Sequence, residues 1–395
     1  MRAAAIAAAA AAATALAVAA SPVGQQQPLQ LVPHASSGAA AAAEQPPAVL
    51  GVDSVLHNGG KLVHPAADTP ADLPLGGEPL PPQEAPPALV ALLKSRIDYA
   101  RSAYCIDGLE AWNCTTCHAA ATSGTTAVAT LGSPQAMFGF AAAHPASRTV
   151  VVGLRGTRNL DNWIKDLMVA RPDAPFDGSP DGSRVHLGFL RAWESIRNDT
   201  LTAVDALLAR FPGFDVLVTG HSLGGAVATL AAADLASSGF VAADRIMVLA
   251  INAPRTGNGV FAKWFAMLPL KAVWRIVNQN DLTPHLPPQF VGFAHHPTEL
   301  WIADASGHTV VCPVSLDDDE PDGISLPEND PRDVEAAIDA QDWTQFRDLP
   351  GIARASESRD CANSVTRGYD LQKHTWVWDL RIGIRGCDPP DDGSS

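Results

Sequence analysis

Ser222 lies in Gly220-His221-Ser222-Leu223-Gly224, and the residues around it are those a nucleophilic serine needs. The apolar run Val216, Leu217, Val218 before it reads as a buried strand, and the Ala/Leu-rich stretch 226–236 after it reads as a helix. A G-x-S-x-G string between a strand and a helix holds its serine on a sharp turn with the hydroxyl exposed to a substrate. Flanking glycines suit that turn because side chains there would clash where strand and helix meet. The serine would also stand at a helix N-terminus, where free backbone N–H groups face a developing oxyanion, so the N–H of Leu223 is a candidate oxyanion donor. The chemistry these residues point to is acyl transfer through a covalent serine intermediate.

A serine hydroxyl needs a histidine base, and the base needs a carboxylate to orient it. After a nucleophile of this kind the acid follows next in the chain and the histidine last. Asp281 sits just past the strand-like run 273–277, in Asn280-Asp281-Leu282-Thr283-Pro284, where a loop carboxylate can reach the edge that carries Ser222. The same residues also suit an ordinary turn. Five histidines follow: His285, His295, His296, His308 and His374. His285 shares a Pro-rich loop with Asp281 and reads as a local hydrogen-bonding residue, whereas His374 occupies a separate C-terminal segment and is the first candidate by chain order. The residues alone leave the choice of base open. A second oxyanion group is offered by Thr157, which follows the strand-like 148–154 through Arg155-Gly156 and brings both a backbone N–H and a hydroxyl.

Directly after Thr157, Leu160, Trp163, Ile164 and Leu167 fall at i, i+3, i+4 and i+7, with Arg158, Asp161, Lys165 and Asp166 on other faces. This is a short amphipathic helix. It reads either as a surface helix packed on the core or as a lid whose apolar face covers the site in water and turns outward at a lipid surface. Strand-like runs at 136–141, 148–154, 215–219, 246–251, 273–277 and 299–303 alternate with helical patterns at 188–211, 223–238 and 258–267. Alternation of this kind predicts an α/β fold with helices covering a largely parallel sheet, and ligand chemistry collecting beyond the carboxyl ends of its strands.

The chain has 395 residues and a formal net charge of −15. That balance argues against nucleic acid or strongly anionic membranes as partners and leaves a neutral lipid interface open. Residues 1–20, with Arg2 and an unbroken Ala-rich apolar run, read as a secretory signal peptide rather than a membrane anchor. Residues 21–85, rich in Pro, Ala, Gly and Gln without periodicity, read as a pro-region or disordered leader, and 86–395 as one catalytic-size domain. Six cysteines (105, 114, 117, 312, 361 and 387) in such a context imply disulfides, with Cys114-Thr-Thr-Cys117 a small structural one rather than a metal or redox pair. Asn113-Cys-Thr and Asn198-Asp-Thr fit the glycosylation pattern, Asn113 being the poorer acceptor because of its neighbouring cysteine. No His/Asp/Glu cluster has metal-ligand spacing, and no metal or other cofactor is expected.

With these residues gathered, the chain resembles the fungal-type class 3 lipases from about Ile97 to Cys387. The likeness is carried by Ser102-Ala-Tyr-Cys105, Arg155-Gly-Thr157 with Asn162-Trp163-Ile164-x-Asp166-Leu167, and Val185-His-Leu-Gly-Phe189. It continues through Thr219-Gly-His-Ser-Leu-Gly-Gly-Ala226, Ala253-Pro-Arg-Thr-Gly-Asn258, Asn280-Asp-Leu-Thr-Pro-His-Leu-Pro-Pro288 and Glu299-Leu-Trp-Ile302. The resemblance implies an α/β-hydrolase fold with a short helical lid, Ser222 as nucleophile, Asp281 as orienting acid and His374 as base. It also implies Thr157 and Leu223 as oxyanion residues, Trp163 as the lid tryptophan, and the pairs Cys105–Cys387, Cys114–Cys117 and Cys312–Cys361. The implied function is a secreted triacylglycerol lipase meeting its substrate at an oil–water interface without stable membrane insertion. A feruloyl esterase or phospholipase A1 of the same fold is the alternative, and a non-catalytic hydrolase-fold binding protein is a third reading. The chain departs from the pattern in two places. A long insertion with the acidic run Asp317-Asp-Asp-Glu320 separates Cys312 from Cys361, and Ile251-Asn-Ala253 replaces the usual Gly-x before Pro254, a change expected to affect packing more than chemistry.

Overall fold

The computed structural model describes residues 81–159, 170–312, 357 and 361–387. The amphipathic stripe Leu160, Trp163, Ile164 and Leu167 lies outside them, as do the signal and leader segments up to residue 80 and the insertion 313–356.

Among the described residues nine strands form one sheet. In chain order they are β1 (Gln83–Glu84), β2 (Thr126–Gly132), β3 (Phe138–His144), β4 (Thr149–Leu154), β5 (Asp215–His221), β6 (Ile246–Ile251), β7 (Ala272–Asn278), β8 (Glu299–Ile302) and β9 (Thr309–Val311). Their spatial order is β1-β9-β8-β7-β6-β5-β4-β3-β2. The five central strands β4 to β8 are parallel, with Val152 opposite Val218 and Val218 opposite Val248, and antiparallel strands close both edges.

The parallel strands are apolar on both faces because helices cover both. On β4, Val150, Val152 and Leu154 face one core with Val216 and Val218 of β5. Val151 and Leu217 face the other, as the period of two requires. The first core is covered by α2 (Leu187–Arg210), α3 (Leu223–Ser237) and α4 (Gly259–Met267). The second is covered by α1 (Pro87–Ser102), through Leu89, Leu93 and Ile97. The alanine richness of α3 has a packing reason: Ala226, Ala228, Ala231, Ala232 and Ala233 are fully buried, and small side chains let the helix lie close to the sheet.

Three strands carry too weak a pattern to be read from sequence. The Thr-Ala-Val-Ala-Thr residues of β2 are half-buried on an edge, β1 is two exposed residues, and β9 is three residues long. The run read as 136–141 is shifted to Phe138–His144, because register with β4 pairs Gly139 with Leu154 and His144 with Thr149. Helix α1 stops at Ser102, and Cys105 beyond it is bonded to Cys387, tying the helix end to the C-terminal segment. Cys114–Cys117 and Cys312–Cys361 form the other two disulfides. Of the two glycosylation-pattern sites, Asn198 is exposed on α2, with Thr200 fully buried and its hydroxyl bonded to the Ile196 carbonyl. Asn113 and Thr115 are exposed. No described helix is long and apolar enough to cross a membrane.

Candidate active site

Ser222 joins β5 to α3 and holds φ 59°, ψ −131°, a conformation an L residue adopts only where its surroundings force it. The forcing contacts are visible at the flanking glycines. A Cβ on Gly220 would run into the Gly224 backbone and stand 2.8 Å from the Leu154 carbonyl oxygen; a Cβ on Gly224 would strike that same carbonyl oxygen. The elbow thus needs both glycines so that β5, α3 and the end of β4 can converge. Leu223 is the first residue of α3, so its N–H has no acceptor within the helix.

Asp281 follows β7 and is fully buried. Its Oδ1 accepts the Thr283 N–H at 3.0 Å, and its Oδ2 lies 2.7 Å from Nδ1 of His374. His374 sits in a 3₁₀ turn, Leu371–Thr375, and is 2 % exposed. Its Nε2 and the Ser222 hydroxyl oxygen are both buried without a hydrogen-bond partner among the described residues. The Thr157 hydroxyl is in the same condition. Gly156, just before it, packs so closely that a Cβ there would come within 3.0 Å of the Ser222 Cβ. The site therefore gathers an oriented imidazole, a strained serine, a helix-opening N–H and a free hydroxyl in one water-poor region.

The segment carrying His374 is pinned by amides that the sequence did not mark. Asn278 Nδ2 donates to the carbonyls of Lys373 at 2.9 Å and Trp376 at 2.8 Å, and the Asp370 N–H donates to the Asn280 carbonyl at 3.0 Å. Asn252 Nδ2 donates to the His374 carbonyl at 3.2 Å while its Oδ1 accepts the Asn278 N–H at 2.9 Å. The departure at 251–253, read as a packing change, thus puts a hydrogen bond on the segment of the histidine. No string of adjacent residues announces this, because its partners come from β6, β7 and the C-terminal turn.

The other histidines stand apart from Ser222 in their bonding. His285 Nδ1 pairs with the Asp281 carbonyl and its Nε2 with the Ala362 carbonyl, the local role read for it. His295 bonds the Pro284 carbonyl at 2.7 Å. His296 is held down to about 3 by burial and, secondarily, by the Arg275 charge. Metal-type ligands converge among the described residues at Glu299, Cys312 and Cys361; there the sulfurs are joined in a disulfide and the carboxylate pairs with Arg275 at 2.6 Å, so the group is not set up as a metal site.

A mostly parallel sheet flanked by helices, with a strand–serine–helix elbow and acid and histidine on later loops, defines the α/β-hydrolase fold. Residues 151–291 match the family model described as lipase (class 3). A lipase of Rhizomucor miehei is 35 % identical over 176 residues, covering 44 % of this chain and 47 % of the relative. Secreted mono- and diacylglycerol lipase 1 of Fusarium solani is 36 % identical over 172 residues, covering 44 % and 49 %. The chain thus spans about half the length of these curated relatives. A solved triacylglycerol lipase, described as having a serine-protease triad as its catalytic centre, superposes with a TM-score of 0.61 at 26 % identity, covering 77 % of this chain and 99 % of its own. The likeness to the fungal class 3 lipases read from the motifs is borne out.

Proposed function

We propose that the protein is a serine carboxylic-ester hydrolase that acts on acylglycerols through Ser222, His374 and Asp281. The observation that carries the reading is the buried Asp281–His374 pair at 2.7 Å, with the imidazole's second nitrogen and the Ser222 hydroxyl both unpartnered. In this reading His374 Nε2 takes the Ser222 proton as the hydroxyl oxygen attacks the ester carbonyl. Asp281 stabilises the imidazolium that forms. The Leu223 N–H, with the N–H and hydroxyl of Thr157, receives the oxyanion, and the alcohol leaves with the proton from His374. Water then cleaves the acyl-enzyme by the same steps in reverse order of partners. No metal or organic cofactor is needed for these steps. Thr157→Val is expected to lower kcat on soluble ester by about a hundredfold with the fold unchanged, because an oxyanion-hole donor acts chiefly in the transition state. Steady-state kinetics on a short-chain ester checks this.

Acylglycerols as substrate are supported by relatives named lipase and mono- and diacylglycerol lipase, and by the apolar stripe Leu160, Trp163, Ile164 and Leu167 next to Thr157. An enzyme for soluble phenolic esters does not need such a stripe, whereas a lid at an oil–water interface does. Secretion is supported by the signal-like residues 1–20, by three disulfides and by relatives named as secreted. The deciding experiment compares emulsified long-chain acylglycerol with phospholipid vesicles and a feruloyl ester. A rate that jumps as acylglycerol passes its solubility limit is expected. Equal or faster turnover of phospholipid or feruloyl ester would overturn the substrate assignment.

A further inference from the structure

Two buried side chains outside the triad join its parts. His221, immediately before Ser222, places Nε2 at 2.7 Å from the His374 carbonyl oxygen, and its ring lies 4.4 Å, centre to centre, from the His374 ring. Its Nδ1 lies 2.8 Å from the Tyr104 hydroxyl. Burial, and next the neighbouring His374, hold His221 well below the usual histidine range, which favours the neutral ring.

The direction of every bond in this chain then follows. A carbonyl only accepts, so the single ring proton of His221 is on Nε2 and points at His374. Nδ1 must therefore accept, and the Tyr104 hydroxyl must donate to it. The Tyr104 oxygen packs against Gly156, the residue before Thr157, so closely that a Cβ on Gly156 would run into it. Gly156 also lies against the Ser222 Cβ and the His221 carbonyl, with no room for a side chain. Two hydrogen bonds thus run from Tyr104 through His221, beside Ser222, to the main chain of His374, and the packing of Tyr104 on Gly156 carries the link on to the Thr157 loop. Its members come from the segment after α1, the end of β4, the end of β5 and the C-terminal turn.

We propose that Tyr104 and His221 are positioning residues which hold the base and the oxyanion loop in register about Ser222. Neither touches the reacting atoms in this account. A shift of the His374 carbonyl would be felt at Gly156, and a shift of Gly156 at His374, so the distance from Nε2 to the nucleophile and the direction of the Thr157 donors are set together. Small displacements of this kind lower the chemical step more than substrate binding. The inference rests on the triad reading above.

The test uses the full chain, a soluble short-chain ester and a serine-directed phosphonate, with variants Tyr104→Phe, His221→Leu and His221→Gln. Tyr104→Phe removes one oxygen without changing shape. It is expected to lower kcat about tenfold with KM within about twofold of native, the size of one hydrogen bond acting on the transition state. The downfield proton resonance of the His374 Nδ1–H, shared with Asp281, should shift in the same variant. His221→Leu should lose more, and His221→Gln, whose amide can still donate to the His374 carbonyl, should regain much of that loss. Native kcat and an unmoved resonance in Tyr104→Phe would overturn the inference, as would a parallel fall in kcat and melting temperature with the resonance unmoved. Phosphonate labelling separates the two levels. A native protein labelled on Ser222 alongside unaffected variants sinks the inference alone, whereas a native protein that is not labelled sinks the triad reading and the inference with it.

Discussion

Ser222→Ala is expected to lower kcat on ester substrates by about five to six orders of magnitude, and His374→Ala by about as much, with the double variant no worse than either alone. The three groups act as one device, so removing a second member of a broken device costs little more. Asp281→Asn should fall by about four orders of magnitude. Its carboxylate has divided duties: Oδ1 is engaged by the Thr283 N–H, and only Oδ2 accepts from His374. An amide nitrogen at the second position would face Nδ1 as a donor, drive the imidazole into the wrong tautomer and leave Nε2 protonated and unable to receive the serine proton. Circular dichroism should show native folds, because none of the three changes opens a large cavity. A Ser222→Ala protein with near-native turnover would overturn the assignment of the nucleophile.

Much of this centre is legible in the sequence because its parts are local. The elbow is five consecutive residues, and the sterics at Gly220 and Gly224 are those the string implies. Asp281 and Thr157 each stand just beyond a strand end, where an α/β sheet exposes its loops. The central strands are legible for a related reason: the five parallel strands lie in the middle of the sheet and read as mainly apolar runs, with Arg275 and Glu299 the buried charged exceptions. What is not legible depends on partners far apart in the chain. Nothing adjacent to Asn252 says that its amide reaches the His374 carbonyl, and nothing adjacent to Tyr104 says that its hydroxyl meets His221. Strand β2 is hidden because its Thr and Ala residues lie half-buried at an edge and leave no apolar alternation. The choice of His374 over four other histidines comes from resemblance and chain order, and the distance to Asp281 is consistent with it.

Glu357 is the clearest case of a residue whose role its own neighbourhood conceals, and the largest expected effect on stability lies there. It stands at the end of a polar, acidic insertion, where a glutamate reads as solvated, yet its side chain is 3 % exposed. It meets Arg255 through two bonds of 2.8 Å and accepts the His295 N–H at 3.0 Å. Arg255 also donates to the carbonyls of His285 and Pro287, on the loop that begins with Asp281. Arg255→Met is expected to destabilise the protein by about 3–5 kcal/mol, because it leaves a buried carboxylate without its cation. Adding Glu357→Leu should recover much of that loss, since a buried ion pair removed whole leaves no charge uncompensated.

The pH dependence separates this account from simple loss of packing. In the native protein burial, the largest single influence, would raise the Glu357 carboxyl, but the charge and hydrogen bonds of Arg255, with His295 and Arg275 behind them, together turn the net shift downward. A carboxylate depressed in the folded state contributes stability above its unfolded pKa of about 4.3 and loses that contribution as pH falls toward the folded value. In Arg255→Met burial acts against only the weaker pull of His295 and Arg275, so the carboxyl is expected to rise and protonation to favour the folded state. The stability gap between native protein and variant should therefore be widest near neutral pH and narrow as the solution is made acid. Denaturant melts of both proteins at pH 7 and pH 4 measure it. A gap of constant size would mean that the Arg255 side chain acts through its packing, and that the charge of Glu357 does not set the stability of this corner of the fold.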